Sequence, residues 1–132
     1  MLEYRYLPIY VQIFPAMKVT RLYTGTDDKS HFEDIEVSFE SRGDFGIFTL
    51  PEQAKAVFFR EIPPGYAYTW HNVVCREYVV MIEGTVEIGT GSGEKRVFRK
   101  GDVLLAEDLT GQGHRTRVIG NKTWRQVFIT LL

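Results

Sequence analysis

The chain has 132 residues, enough for one domain with a substantial hydrophobic core and too few for a second. Lys+Arg 16 against Asp+Glu 17 gives a formal net charge of -1 with no run of like charge, which argues against electrostatic capture of nucleic acid or of an anionic membrane. The single cysteine, Cys75, excludes an internal disulfide and accords with a cytoplasmic location.

Residues 7–17 are apolar but too short to span a bilayer; they hold Pro8 and Pro15, and Glu3 stands beside Arg5 where a secretion signal would be positive. Two readings are open for residues 1–16: an extension whose extra strand covers a barrel edge, or sequence upstream of a true start at Met17. From Met17 to Tyr23 the chain reads as an ordinary first strand. His31 follows a polar turn, and Glu33 and Asp34 alternate faces beyond it, so this segment is a solvated strand start rather than the main metal site.

Arg60 interrupts the apolar run Val57-Phe58-Phe59 and has three readings: a clamp for a substrate carboxylate, a partner of Glu61 or Glu77, or an exposed charge. Tyr66, Tyr68 and Trp70 either wall a planar ligand or are ordinary β packing, with packing expected for at least two. If residues 70–77 form one extended strand, positions 71, 73, 75 and 77 share a face, and His71 and Glu77 look into a common interior with Val73 and Cys75. Cys75 is expected there as a small buried hydrophobe rather than a nucleophile. In Tyr78-Val79-Val80-Met81-Ile82 both parities are apolar. One face fills the interior, and the face of Tyr78, Val80 and Ile82 needs a cover, supplied by the N-terminal segment or a second subunit.

Residues 85–89 alternate as a strand with one wet face. Glu107 and Asp108 are expected as solvated acids of a loop at the barrel mouth. Beyond them Arg115 and Arg117 claim the water-facing side, so His114, Thr116 and Val118 point inward. Glycine-marked turns recur throughout, no stretch keeps a helical period, and the fold class is all-β, a sandwich or barrel.

The spacing resembles the cupin family. Its first motif is a Gly, five residues, a His-x-His pair, a Glu three or four residues on, and a Gly six residues later; Gly65, His71, Glu77 and Gly84 stand at those places, with Val73 for the second His. Its second motif resembles the stretch from Gly101 to His114, with Glu107 at the Pro position, a loop two residues longer, and Val118 where an Asn would fall. The resemblance covers residues 57–131 and implies a single cupin-type double-stranded β-helix, or jelly-roll barrel.

It also implies a divalent metal (Fe, Mn, Ni or Zn) on His71, Glu77 and His114, with His71 and His114 the catalytic candidates and Thr116, Gln126 or tyrosines steadying the imidazoles. No nucleotide or organic cofactor is indicated. The leading expectation is a homodimeric cupin that binds a small molecule and acts as a metal-dependent oxygenase or isomerase, without nucleic-acid or membrane partners. Two alternatives stand beside it: a metal-free ligand-binding or accessory protein, and a metal-free acid–base enzyme of epimerase or dehydratase type.

Overall fold

A computed structural model describes residues 16–132. Its elements are β1 Met17–Thr24, β2 Ser30–Val37, β3 Glu40–Ser41, a 3-10 turn Gly43–Phe45, β4 Ile47–Phe48, β5 Ala54–Ile62, β6 Ala67–His71, β7 Glu77–Glu83, β8 Thr85–Thr90, β9 Lys95–Phe98, β10 Val103–Glu107, β11 His114–Ile119 and β12 Trp124–Leu131. The all-β expectation holds, and β1 begins where the sequence places the first strand. The extension of residues 1–16, read as an edge strand or an upstream start, lies outside the described residues apart from Ala16.

Two sheets form a jelly roll. One has six strands in the order β2-β1-β10-β7-β12-β5, the other four in the order β6-β11-β8-β9, and β3 and β4 pair separately. All pairings are antiparallel except β1 on β10. Alternation supplies the filling: Leu22, Val79, Met81, Leu104 and Phe128 from the larger sheet meet Val86, Ile88, Phe98 and Val118 from the smaller in one buried cluster. Each such side chain, fully withdrawn from water, contributes about 1.5–3 kcal/mol. The β7–β8 turn requires glycine: Gly84 has φ 83, and a Cβ there would stand 2.5 Å from the carbonyl oxygen of Thr123.

The single strand expected over residues 70–77 is not formed. His71 ends β6 in the four-stranded sheet, and Glu77 begins β7 in the six-stranded one. Between them the chain crosses from sheet to sheet, held by the Val73 amide on the carbonyl of Asp108 and by the Asn72 side-chain amide on the carbonyls of Asp108, Thr110 and Gly111. A crossing of this kind cancels a face argument, because parity carries over only along an unbroken strand.

The outer face of the six-stranded sheet is apolar as well. Phe59, Val127, Val80 and Val103 occupy successive register positions across β5, β12, β7 and β10, and Val57, Ile129, Tyr78 and Leu105 form a second such row. Leu105 is buried, Tyr78 and Val80 half-buried, and Phe59 is 75% exposed.

Candidate functional site

The two histidines are brought together by strand pairing, since His114 on β11 is the register partner of His71 on β6. Their ring centroids lie 4.2 Å apart with planes inclined at 58°. Gly113 makes the approach possible: at φ 77 it passes so close to the carbonyl oxygen of His71 that any Cβ would overlap it.

Each imidazole is oriented through Nδ1. The His71 Nδ1 stands 2.7 Å from the carbonyl oxygen of Thr69, which can only accept, so Nδ1 carries the hydrogen and Nε2 the free lone pair. His114, 6% exposed, sets Nδ1 2.6 Å from Oδ2 of Asp108, and the Ser30 hydroxyl donates to the same oxygen at 2.7 Å. Asp108 and Ser30 are completely buried. Burial holds the pKa of His71 below the ordinary imidazole value, with the neighbouring His114 adding to the effect and the Thr69 bond opposing it.

Glu77 opens β7 and turns into the chamber the histidines line. Burial pushes its pKa up to about 6, against the partly offsetting charges of Arg60 and His114. The inner chamber, about 220 Å³, is bounded by His71, Glu77, His114, Arg60, Val73 and Phe128 among others. An outer vestibule of about 420 Å³ shares Arg60, His71, Thr116 and Trp124 with it and adds Tyr66 and Tyr68.

The structure thus places His71, Glu77 and His114 around one cavity, although from two sheets. As they stand, no group of three His, Cys, Asp or Glu side chains among the described residues has the spacing to hold a metal ion. The donor chemistry nevertheless suits a transition metal: two imidazoles with Nδ1 engaged and Nε2 free, and one carboxylate. Val73 takes the place of a further imidazole and packs on the core.

Several expectations are corrected. Asp108 is not a solvated loop acid; the loop folds inward and the residue becomes the anchor of His114, while Glu107 is bound by Arg21 and Arg76. Thr116 and Gln126 do not steady the imidazoles. Thr116 lines the cavity, and the buried Gln126 accepts a hydrogen bond from Arg60 Nε at 2.8 Å. Arg60 pairs with neither Glu61, which binds Arg125, nor Glu77 within ion-pair distance. Tyr66 and Tyr68 do wall the vestibule, whereas Trp70 lies under the Arg115 guanidinium. Cys75 is half-buried and lines neither chamber. His31 bonds Asp27 far from this cavity, in keeping with a solvated strand start.

Sequence reasoning missed Asp108, Trp124 and Phe128. For the two aromatics a signal existed, since Trp124, Gln126 and Phe128 share strand parity; for Asp108 none did, because nothing local separates it from Glu107.

Together the two facing sheets and the paired histidines at the chamber define a double-stranded β-helix with an internal site. With Gly65, His71, Glu77 and Gly84 at the motif positions, this jelly roll resembles a cupin barrel. No protein-family profile matches it. It is similar to the oryzines biosynthesis cluster protein J of Aspergillus oryzae, 38% identical over 76 residues, covering 58% of this chain and 42% of the relative. A cupin-domain-containing oxidoreductase of Neurospora crassa is 33% identical over 72 residues, covering 54% and 35%. The match therefore takes in less than half the length of these relatives. Among solved structures, a cupin 2 conserved barrel domain protein of Salinispora arenicola superposes with a TM-score of 0.48 at 17% identity, covering 58% of this chain and 61% of that one. Among the described residues no helix is long and apolar enough to cross a membrane.

Proposed function

We propose that the chain binds a small molecule in its barrel and uses a divalent transition metal there, as an oxygenase or isomerase, with His71 Nε2, His114 Nε2 and the Glu77 carboxylate as the holding atoms. The observation that carries this reading is the matched orientation of the two imidazoles, each with Nδ1–H tied to an oxygen and Nε2 left for another partner. The name of the Neurospora relative lends support to redox chemistry. A metal bound there would supply Lewis acidity and open positions for substrate. The protein's own contribution is to keep His71 neutral through burial, to fix both imidazoles through Nδ1, and to give the chamber an apolar wall of Val73, Trp124 and Phe128.

The test is metal content of untagged protein, wild type and His71→Ala, Glu77→Ala and His114→Ala. Stoichiometric metal lost in the variants is expected; substoichiometric metal unchanged by all three sinks the metalloenzyme reading. A metal-free acid–base enzyme is the second reading, favoured by the Glu77 pKa of about 6 in the same chamber as His71, whose own pKa burial lowers.

The partner we propose for the outer sheet face is a second copy of the chain. Its two apolar rows run to the edge strand β5, where Phe59 and Val57 are 75% and 59% exposed, and two such edges related by a twofold axis can pair. The lone Cys75 supports a cytoplasmic location.

A further inference from the structure

Arg60 faces the cavity and donates to the buried Gln126. It stands on the edge strand β5, where Glu61, of opposite parity, pairs with Arg125 at the rim of the vestibule. Arg60 shares the inward face with Phe58 and Ile62 and lines both chambers. Its guanidinium lies 4.5 Å from the ring centre of Phe128 and 5.4 Å from that of Trp124. Nε is committed to Gln126 Oε1, and Gln126 is itself fixed by donating Nε2–H to the Trp124 carbonyl at 2.9 Å. The two terminal nitrogens have no hydrogen-bond partner, and no carboxylate lies within 4 Å of the group, among the described residues. A fully buried amide therefore aims a cation whose two outer N–H donors are left open at the junction of the chambers. Arg60 is exposed at this junction; partial desolvation pulls its pKa below the ordinary value, against the opposing charge of Glu77.

We propose that Arg60 is the anion-recognition residue of this cavity and that the ligand is a small carboxylic acid with a flat apolar body. A carboxylate offers two oxygens in the plane of the guanidinium fork, which matches the two free terminal nitrogens. The flat body is set by the walls. Tyr68 meets His71 edge-on at 4.4 Å and stacks on Tyr66 at 6.4 Å on one side, and Trp124 lies on the other. From this anchor the acid's body reaches the histidines, because Arg60 and His71 line the same two chambers. The inference rests on the cavity being the ligand site and is independent of whether a metal is held.

The experiment is titration of the protein with benzoate, its neutral isostere benzamide, and phenylphosphonate, followed by calorimetry and by the chemical shifts of His71 and Trp124. Wild type is expected to prefer benzoate over benzamide, and Arg60→Met to weaken benzoate on the order of 10- to 100-fold while leaving benzamide within about twofold. Arg60→Lys, which keeps the charge and loses the fork, is expected to recover only part of the preference. A role confined to packing would move both ligands together in Arg60→Met. Equal binding of benzoate and benzamide, an unchanged benzoate affinity in Arg60→Met, or tighter binding of phenylphosphonate than of benzoate overturns the proposal, while any saturable binding in the cavity leaves the small-molecule reading standing. Absence of binding by all three probes overturns both. Metal content of Arg60→Met, expected to equal that of wild type, separates this inference from the metal assignment.

Discussion

Replacing Asp108 by alanine is the sharpest test of how the site is held. The side chain is completely buried, and its Oδ2 receives the Ser30 hydroxyl at 2.7 Å and the His114 Nδ1–H at 2.6 Å. Truncation leaves two buried donors without an acceptor, in a place closed to water. Each such group costs about 1–3 kcal/mol, so Asp108→Ala is expected to lose about 2–6 kcal/mol. Asp108→Asn keeps one acceptor oxygen and is expected to lose about half as much, while Ser30→Ala, which removes a donor rather than stranding one, costs about 1 kcal/mol. Urea unfolding of the chelator-treated protein reads the loss as a shifted midpoint at constant slope. Nitrogen-15 spectra of His114 read the second consequence, a Nδ1–H form in wild type that gives way to a mixture of tautomers in Asp108→Ala. A loss under about 0.5 kcal/mol, with His114 still protonated on Nδ1, would refute the claim that Asp108 fixes this ring.

Three further outcomes follow from the same structure. The Glu77 pKa of about 6 lies above its ordinary 4.5, so the folded protein holds this proton more tightly than the unfolded chain. The associated stability is present below about pH 4.5 and is lost as pH rises to about 6, roughly 1–2 kcal/mol; metal-free Glu77→Gln should lack this slope, and parallel pH profiles would contradict the assignment. Gly113→Ala is expected to destabilise at least twice as much as Gly120→Ala, which costs about 1 kcal/mol, because both residues have positive φ but only Gly113 faces a carbonyl oxygen. Thermal unfolding of the pair decides it, and equal losses would mean that the close approach to His71 carries no weight. Light scattering at tens of micromolar should find a dimer for wild type and a monomer for Phe59→Glu, and a monomeric wild type removes the dimer proposal.

Much of the architecture was legible because β alternation is a local property. Val79 and Met81 bury 4% and 2% exposed while Ile82 stays 41% exposed, as the two parities of that strand required. The inward turn of His114 followed likewise from the exposed Arg115 and Arg117 on either side of Thr116. Alternation breaks off at residues 70–77, where the chain leaves one sheet for the other. His71 and Glu77 meet at one cavity through sheet packing rather than through shared parity along a strand.

By itself the sequence determined the all-β class, the motif spacing that resembles the cupins, and the faces of each unbroken strand, since all three depend on neighbours a few positions apart. The tertiary structure alone decided which acid is buried, since Asp108 owes its burial in part to Ser30, 78 positions away in the chain. It also decided where Arg60 points, because the group that aims it, Gln126, lies 66 positions further on. Desolvation and hydrogen-bond satisfaction are properties of assembled surfaces, and two adjacent acids of nearly the same chemistry diverge only when those surfaces close.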